Sequence, residues 1–280
     1  TITTSVPFLI ISPDAKSGGM GDVGVASSPD AMSMHWNPAK YAFINNDIGF
    51  SVCYTPWLKS LVPDINLSYL SGYKRLDDNQ VLGFSLRYFT LGEINFTDAN
   101  NNPLGSFSPN EFSLDGAYSL KLSPYFSTGV ALRYVYSNLT GGQQVGTLST
   151  KPANTVAGDI SSYYNKEIRF VGQQMNWAVG MNISNIGAKV SYTETIDKDF
   201  IPTNLRIGSS LSTNLDDYNF IAFEFNINKL LVPTPPIYND NGDIISGKDP
   251  NVSVISGIFQ SFSDAPVGDR EIRELSLIHI

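Results

Sequence analysis

Cysteine is nearly absent: Cys53 stands alone in 280 residues, which excludes an internal disulfide and a thiolate metal cluster. Histidine is almost as scarce. A Ser-His-Asp hydrolase would have to use His35 or His279, and neither lies near a Gly-x-Ser-x-Gly elbow. No paired set of carboxylates stands out either, so the chain reads as a non-enzyme, with no catalytic residue, metal or cofactor expected. Basic charge is short as well. With 18 Lys+Arg against 26 Asp+Glu, a formal charge of -8 and a pI near 4.7, there is no basic stripe to neutralise phosphates, and nucleic acid is excluded. No window approaches the roughly 18 unbroken apolar residues of a membrane helix, and no low-complexity linker divides the chain. Position 1 is not Met and no charged n-region with an apolar h-region comes first, so the expectation is a mature chain whose signal peptide has been removed.

What the chain has is aromatic residues, 12%, with only 16% charged, arranged with a period of two rather than 3.6. Ile48, Phe50, Val52 and Tyr54 alternate with Gly49, Ser51, Cys53 and Thr55. The same pattern runs through Ile65–Tyr73, Val81–Leu91, Phe112–Leu122, Val130–Tyr136, Asn176–Ser184, Asn204–Ser212 and Ile221–Ile227, with a weak strand at Ala188–Thr193 and a strand-like run at Glu271–Ile280. That makes nine strands and the start of a tenth. Thr97–Pro109, Asn138–Gln174 and about forty residues after Ile227 read as loops. Short and long connections alternate, the parity of an antiparallel transmembrane β-barrel whose lipid face uses every second residue. The expected fold class is therefore all-β.

Before this wall lies Pro13–Phe43, with four glycines (Gly18, Gly19, Gly21, Gly24) and three prolines among small residues. It offers many backbone donors and little bulk for a core of its own. Its Ala-x-x-Gly-Gly-Met-Gly run (Ala15–Gly21), Gly24-Val25-Ala26 and Trp36-Asn37-Pro38-Ala39 box resemble the N-terminal hatch of FadL-type outer-membrane barrels. The fuller wording, Ser28-Pro29-Asp30-Ala31 leading into His35–Phe43, is similar to the PorV (LptO) family of the type IX secretion system of Bacteroidetes. The resemblance implies a 14-stranded FadL-like barrel, with residues 1–46 as a hatch plugging the lumen and 47–280 as the transmembrane barrel. About ten strands would be visible here, the last C-terminal strands falling outside this sequence. It implies an outer-membrane location in contact with lipid. It also implies three partners: the type IX translocon barrel, the C-terminal signal domains of secreted cargo, and the sortase-containing attachment complex. An O-deacylase activity, suggested by the alternative family name, finds no support in these residues.

Three groups of residues are candidate sites. Arg87, Asp115, Lys121, Arg133, Arg206 and Glu224 fall on the polar face of their strands, either as an interior charge ladder that binds the hatch or as a conducting or substrate-reading set. In the hatch, Gly18, Gly19, Gly21, Trp36, Asn37 and Pro38 are singled out: Pro38 keeps Asn37 extended and the Asn side chain can cap a turn. Asn239-Asp240-Asn241-Gly242-Asp243 has the look of a calcium loop, but with Gly242 sixth the first and twelfth positions are Ile237 and Lys248, so a β-turn is expected.

The third group lies in the forty-residue loop. A proline-rich apolar start (Leu230 to Ile237) is followed by Ile255, Ile258, Phe259 and Phe262 at helical spacing, with five aspartates (240, 243, 249, 264, 269) against Lys248. Leu230, Ile237, Ile255, Ile258, Phe259 and Phe262 are candidate partner-binding anchors; the competing reading is a lid over the barrel mouth. Two functions compete as well: a plugged platform that binds secreted cargo at the translocon exit and passes it to the attachment machinery, or a FadL-type transporter of hydrophobic small molecules. A transporter needs an apolar path past the hatch, and the polar lumen favours the platform.

Overall fold

Alternating apolar and small polar residues form strands because successive side chains point to opposite faces. The computed structural model describes residues 2–57, 64–97, 100–142, 144–145, 148–170, 172–193, 198–266 and 275–279. Ten strands make one sheet: β1 (Ile48–Pro56), β2 (Ile65–Arg75), β3 (Gln80–Leu91), β4 (Asn110–Ser123), β5 (Phe126–Asn138), β6 (Ala153–Phe170), β7 (Gln173–Gly187), β8 (Asn204–Asn214), β9 (Phe220–Leu230) and β10 (Leu275–His279). Each pairs antiparallel with the next in sequence order, and among the described residues no pairing joins β1 to β10. No helix is long and apolar enough to cross a membrane.

The two faces of the sheet are inverted relative to a water-soluble protein. Phe50, Leu86, Leu132 and Phe223 are exposed on one face, while Ser85, Asp115, Ser127 and Arg133 are buried on the other. An apolar outer band is what a hydrocarbon solvent requires of a β-sheet. Short connections (76–79, 124–125, 171–172, 215–219) gather at one end. Long ones (92–109, 139–152, 188–203 and the stretch after Leu230) gather at the other.

Within 97–109, read as a loop, Pro103–Phe107 pairs with Ile94–Thr97 as a hairpin outside the main sheet, and two strand assignments of the main sheet change. Ala153–Phe170, placed within a loop by periodicity, is the 18-residue β6. Its outward residues are Asn154, Val156, Gly158, Ile160, Ser162 and Tyr164, so only every other outward position is apolar and the alternation is diluted. Ala188–Thr193, expected to be a strand, is not part of the sheet; Val190 makes one isolated bridge to Asp199 and Thr193 another to Thr150.

Residues 2–46 lie on the buried face. Asp14 caps the short helix α1 (Ala15–Gly19) by accepting from the Ser17 N–H at 2.7 Å. Helix α2 (Ser33–Trp36) and a 3-10 turn (Pro38–Phe43) follow. The segment runs the length of the sheet. Val6, Phe8 and Leu9 pack with Leu67, Phe89, Val135 and Ile201 towards the long connections, and Met34 and Tyr41 pack with Tyr73, Val81, Ala117 and Ala131 towards the short turns.

Candidate functional site

One side chain from each of eight consecutive strands reaches the N-terminal segment, which requires the sheet to curl around it as a half-barrel. Ser71 of β2 donates to Ala31 O (2.8 Å), Ser119 of β4 to Pro38 O (2.7 Å), Ser127 of β5 to Ala39 O (2.7 Å) and Ser210 of β8 to Ala26 O (2.7 Å). Asn182 of β7 donates to Trp36 O at 3.0 Å. Ser161 of β6 and Glu224 of β9 accept from the N–H groups of Ala39 (3.1 Å) and Ala26 (3.2 Å). Arg87 of β3 donates to Phe8 O at 2.8 Å and Leu9 O at 2.7 Å. An irregular backbone can be buried only if its polar groups find partners, and these side chains supply them. Sequence reasoning assigned Ser119 and Ser210 to the polar face without giving them a role, and placed Ser161 in a loop; in β2 the apolar set Leu67, Tyr69 and Tyr73, expected opposite the polar face, is buried inward beside Ser71. The available signal was the recurrence of serine at inward positions opposite apolar outward residues.

The Trp36-Asn37-Pro38 box is the anchor of the segment. Asn37 is fully buried and extended (φ -165, ψ 96), with Pro38 opening the 3-10 turn. Its carboxamide accepts from Ala39 N–H at 3.1 Å and donates to Val25 O and Ser162 O, each at 2.9 Å. Trp36 Nε1 donates to Asp14 Oδ2 at 2.8 Å. Gly24 lies flat against the Trp36 ring, where a Cβ would stand 2.5 Å from ring carbons.

The closest backbone approaches come from glycines of the sheet. A Cβ on Gly180 would sit 2.0 Å from Val25 O, and one on Gly129 would sit 2.8 Å from Ala39 N. Gly18 and Gly19, expected to lie against the wall, belong to α1. A Cβ at Gly19 would meet nothing, and one at Gly18 only Ser12 Oγ at 3.9 Å. Gly21, at φ 78, forms the turn after α1.

Arg87, Asp115, Arg133, Arg206 and Glu224 are all buried on the inner face. Arg133 is held by Asp115 and, at 3.1 Å, by Asp159, and also donates to Asn185 Oδ1. Ser85 donates to Asp115 at 2.8 Å, so the network crosses β3 to β7. Asp159 and Asn185 belong to it although alternation had not singled them out. Arg206 stacks 5.1 Å from the Trp36 ring and donates to His35 O at 3.4 Å. Lys121, nearer the short turns, is half-buried over the Phe43 ring at 4.9 Å.

Two titratable groups of the segment are enclosed by this face. Burial, and after it the positive charges of Arg87, Arg206 and Arg133, hold His35 well below the usual imidazole range. Burial also pulls the Lys40 ammonium down, against Asp30 and Glu224, which pull it up. Lys40 donates to Gly24 O at 2.9 Å and Ser27 Oγ at 2.8 Å. Among the described residues, no three His, Cys, Asp or Glu side chains converge as metal ligands would.

At the far end, the loop after Leu230 folds on itself. Leu231 and Val232 are buried, and Ile237–Tyr238 pairs with Ile244–Ser246 around a turn in which Asn239 Oδ1 accepts from the N–H groups of Asn241 and Asp243. Helix α3 (Val254–Gln260), capped by Ser253, rests on Gly257, where a Cβ would come within 2.8 Å of the Phe200 ring and 3.1 Å of Pro233. Its apolar stripe faces out. Ile255 is 67% exposed, Phe259 73% and Phe262 51%, whereas Ile258 and Leu230 are half-buried and Ile237 is partly exposed. Burial therefore gives the lid reading no support.

A family model described as type IX secretion system protein PorV matches residues 1–237. The match takes in the whole N-terminal segment and β1 to β9 and stops before α3. No curated protein matches the chain.

Proposed function

The chain belongs to the PorV family of type IX secretion system proteins, and on that premise we propose that this outer-membrane component captures secreted cargo at the translocon exit and delivers it to the cell-surface attachment machinery. Its partners in this reading are the translocon barrel, the C-terminal signal domains of cargo and the sortase-containing attachment complex. In the same reading the strands belong to a closed 14-stranded barrel, with residues 1–46 as its hatch. The observation that carries the proposal is a division of labour. The inner face is taken up by hydrogen bonds to the N-terminal segment and by ion pairs among its own strands, while Ile255 and Phe259 stand uncovered on a helix beyond the strand ends. Apolar side chains that face water at the centre of a patch are the usual anchors of a protein interface.

The test is capture of a cargo signal domain by the purified protein. The double variant Phe259→Ser/Phe262→Ser is expected to lose most capture while its heat-unfolding midpoint stays with wild type, since exposed positions shift stability by only about 0.5 kcal/mol. Undiminished capture would remove this site, and unfolding of the variant would make the stripe structural.

A second reading, FadL-type passage of hydrophobic small molecules, draws on a cleft of about 560 Å³ between the N-terminal segment (Ile10, Ile11) and β1 with its following residue (Tyr54, Pro56, Trp57). Competition by a long-chain fatty acid for a fluorescent analogue bound there, abolished by Ile11→Asp, would favour it over the platform.

A further inference from the structure

The two faces of the sheet also sort their charges. In the main sheet the carboxylates Glu111, Asp115, Asp159, Glu167 and Glu224 all take inward positions in the alternation, and so does every arginine. Among the described residues, the Asp, Glu, Lys and Arg side chains at outward positions of the ten strands are lysines alone: Lys74, Lys166 and Lys229. Lys229 is buried under the Phe262 ring at the long-connection end, whereas Lys74 and Lys166 are exposed at the short-turn end. In a chain with 26 Asp+Glu against 18 Lys+Arg, an outer face that holds cations and no carboxylate runs against composition. A bilayer surface made of phosphates attracts ammonium groups and repels carboxylates. A lipid-facing lysine is tolerated at that level and costly at the midplane.

Lys166 differs from Lys74 in what surrounds it. Its Nζ stands 5.3 Å from the centre of the Tyr125 ring, and the backbone bond from Asn165 N–H to Tyr125 O, at 2.8 Å, holds lysine and ring together. Its cross-strand partner is Trp177, which meets Tyr164 edge-on at 5.7 Å and donates through Nε1 to Ser209 Oγ at 3.0 Å. Tyr and Trp gather where acyl chains give way to headgroups, so three rings set the depth of this ammonium. Deeper along β6, Ser162 and Gly158 leave the outer face low on either side of Ile160, which gives an acyl chain room to lie against the sheet.

We propose that Lys166, Tyr125, Tyr164 and Trp177 form a binding site for an anionic glycerophospholipid of the leaflet at the short-turn end, with the phosphate on Lys166 and the glycerol and first acyl carbons on the Tyr164–Trp177 pair. Short turns mark the periplasmic side of outer-membrane barrels. An anionic headgroup is favoured over a zwitterionic one because the outer face offers no carboxylate to a choline or ethanolamine ammonium. The inference rests on the sheet standing in a bilayer and not on cargo capture.

The experiment strips the full chain of lipid in detergent and titrates it with palmitoyl-oleoyl phosphatidylglycerol or the phosphatidylcholine of the same chains, bound lipid being counted by native mass spectrometry. One phosphatidylglycerol is expected to bind about fivefold more tightly than phosphatidylcholine, the size set by one lysine at an anionic membrane surface. Lys166→Gln should remove that preference while the heat-unfolding midpoint is kept. Lys248→Gln, the same charge change at the far end, should leave it, and millimolar inorganic phosphate should not displace the lipid. Equal binding of the two lipids, or a preference that survives Lys166→Gln, would overturn the proposal. Tighter binding of phosphatidylcholine would do so too, marking the rings as a cage for its ammonium, and displacement by inorganic phosphate would mark a free-phosphate site. An effect of Lys74→Gln or Lys248→Gln as large as that of Lys166→Gln would reveal diffuse attraction in place of a site. The two readings fail separately: lipid preference decides this one, and capture by Phe259→Ser/Phe262→Ser decides the cargo reading.

Discussion

The Arg87 guanidinium lies 2.7 Å from Nδ1 of His35. Because a guanidinium has donors and no acceptor, the imidazole must present a lone pair at Nδ1 and carry its proton on Nε2. The same guanidinium donates to the carbonyls of Phe8 and Leu9. One side chain of β3 thus ties two distant stretches of the N-terminal segment to the sheet, and holds the second only while His35 is neutral.

Acid should therefore loosen the segment. An unfolded imidazole takes up a proton near pH 6.5, whereas burial and three arginines keep folded His35 well below that. The unfolded state binds the proton first, so this contribution is complete above about pH 6.5 and is lost as pH falls towards the folded value, by up to about 1.4 kcal/mol per pH unit. His35→Asn keeps an acceptor near the Nδ1 position and cannot titrate. Heat-unfolding midpoints followed into mild acid should slope for wild type and flatten for the variant; parallel slopes would clear His35 of the effect.

Arg133 should be costly to remove by itself and cheap to remove with its partners. Arg133→Met leaves Asp115 and Asp159 buried without their cation, a loss of about 3–5 kcal/mol. The triple variant Asp115→Asn/Arg133→Met/Asp159→Asn should recover most of it. Denaturant midpoints in detergent measure both, and a triple variant no better than the single one would show that the charges themselves are needed.

Gly180→Ala should displace the segment rather than break the sheet, because its Cβ would fall 2.0 Å from Val25 O. Overpacking of this kind costs about 1–3 kcal/mol. Faster proteolysis near Val25 and a rise in ion conductance in planar bilayers are expected, with strand content unchanged by circular dichroism. Gly116→Ala, where an added Cβ would meet nothing within 4 Å, is the control and should behave as wild type.

Asn37→Ala removes a turn cap and two donated hydrogen bonds, a loss of roughly 2–4 kcal/mol if a cap is worth about 1 and each bond about 0.5–1.5. Asn37→Asp should be at least as damaging, since a carboxylate cannot donate to Val25 O and Ser162 O. Unfolding midpoints rank the three, and an Asp variant equal to wild type would mean the donated bonds do not matter.

Much of this architecture was legible in the chain. The facing of Arg87, Asp115, Arg133, Arg206 and Glu224 follows from counting by twos, since a slip of one residue would put guanidinium groups into lipid at about 2–4 kcal/mol each near the midplane. The Asn37–Pro38 cap was legible for the same local reason. β6 was hidden because Gly158 and Ser162 interrupt its outward apolar series. The outward stripe of α3 was legible as a stripe, but its direction was not.

Parity, caps and turns depend on neighbours a few residues away, so the sequence by itself settles where short turns fall and the facing of most strands, though not of β2, where Leu67, Tyr69 and Tyr73 turn inward to pack on the segment. Which inward groups meet is a different matter. Ser127 and Ala39 are 88 residues apart, and Ser210 and Ala26 are 184 apart, and no local periodicity relates such pairs. Only the curl of the sheet brings Gly180 against Val25, Arg87 against His35, and Phe200 and Pro233 together under α3. Those contacts depend on the strands having curled around the segment, because a backbone with so few apolar side chains holds its shape only where the inner face satisfies its polar groups.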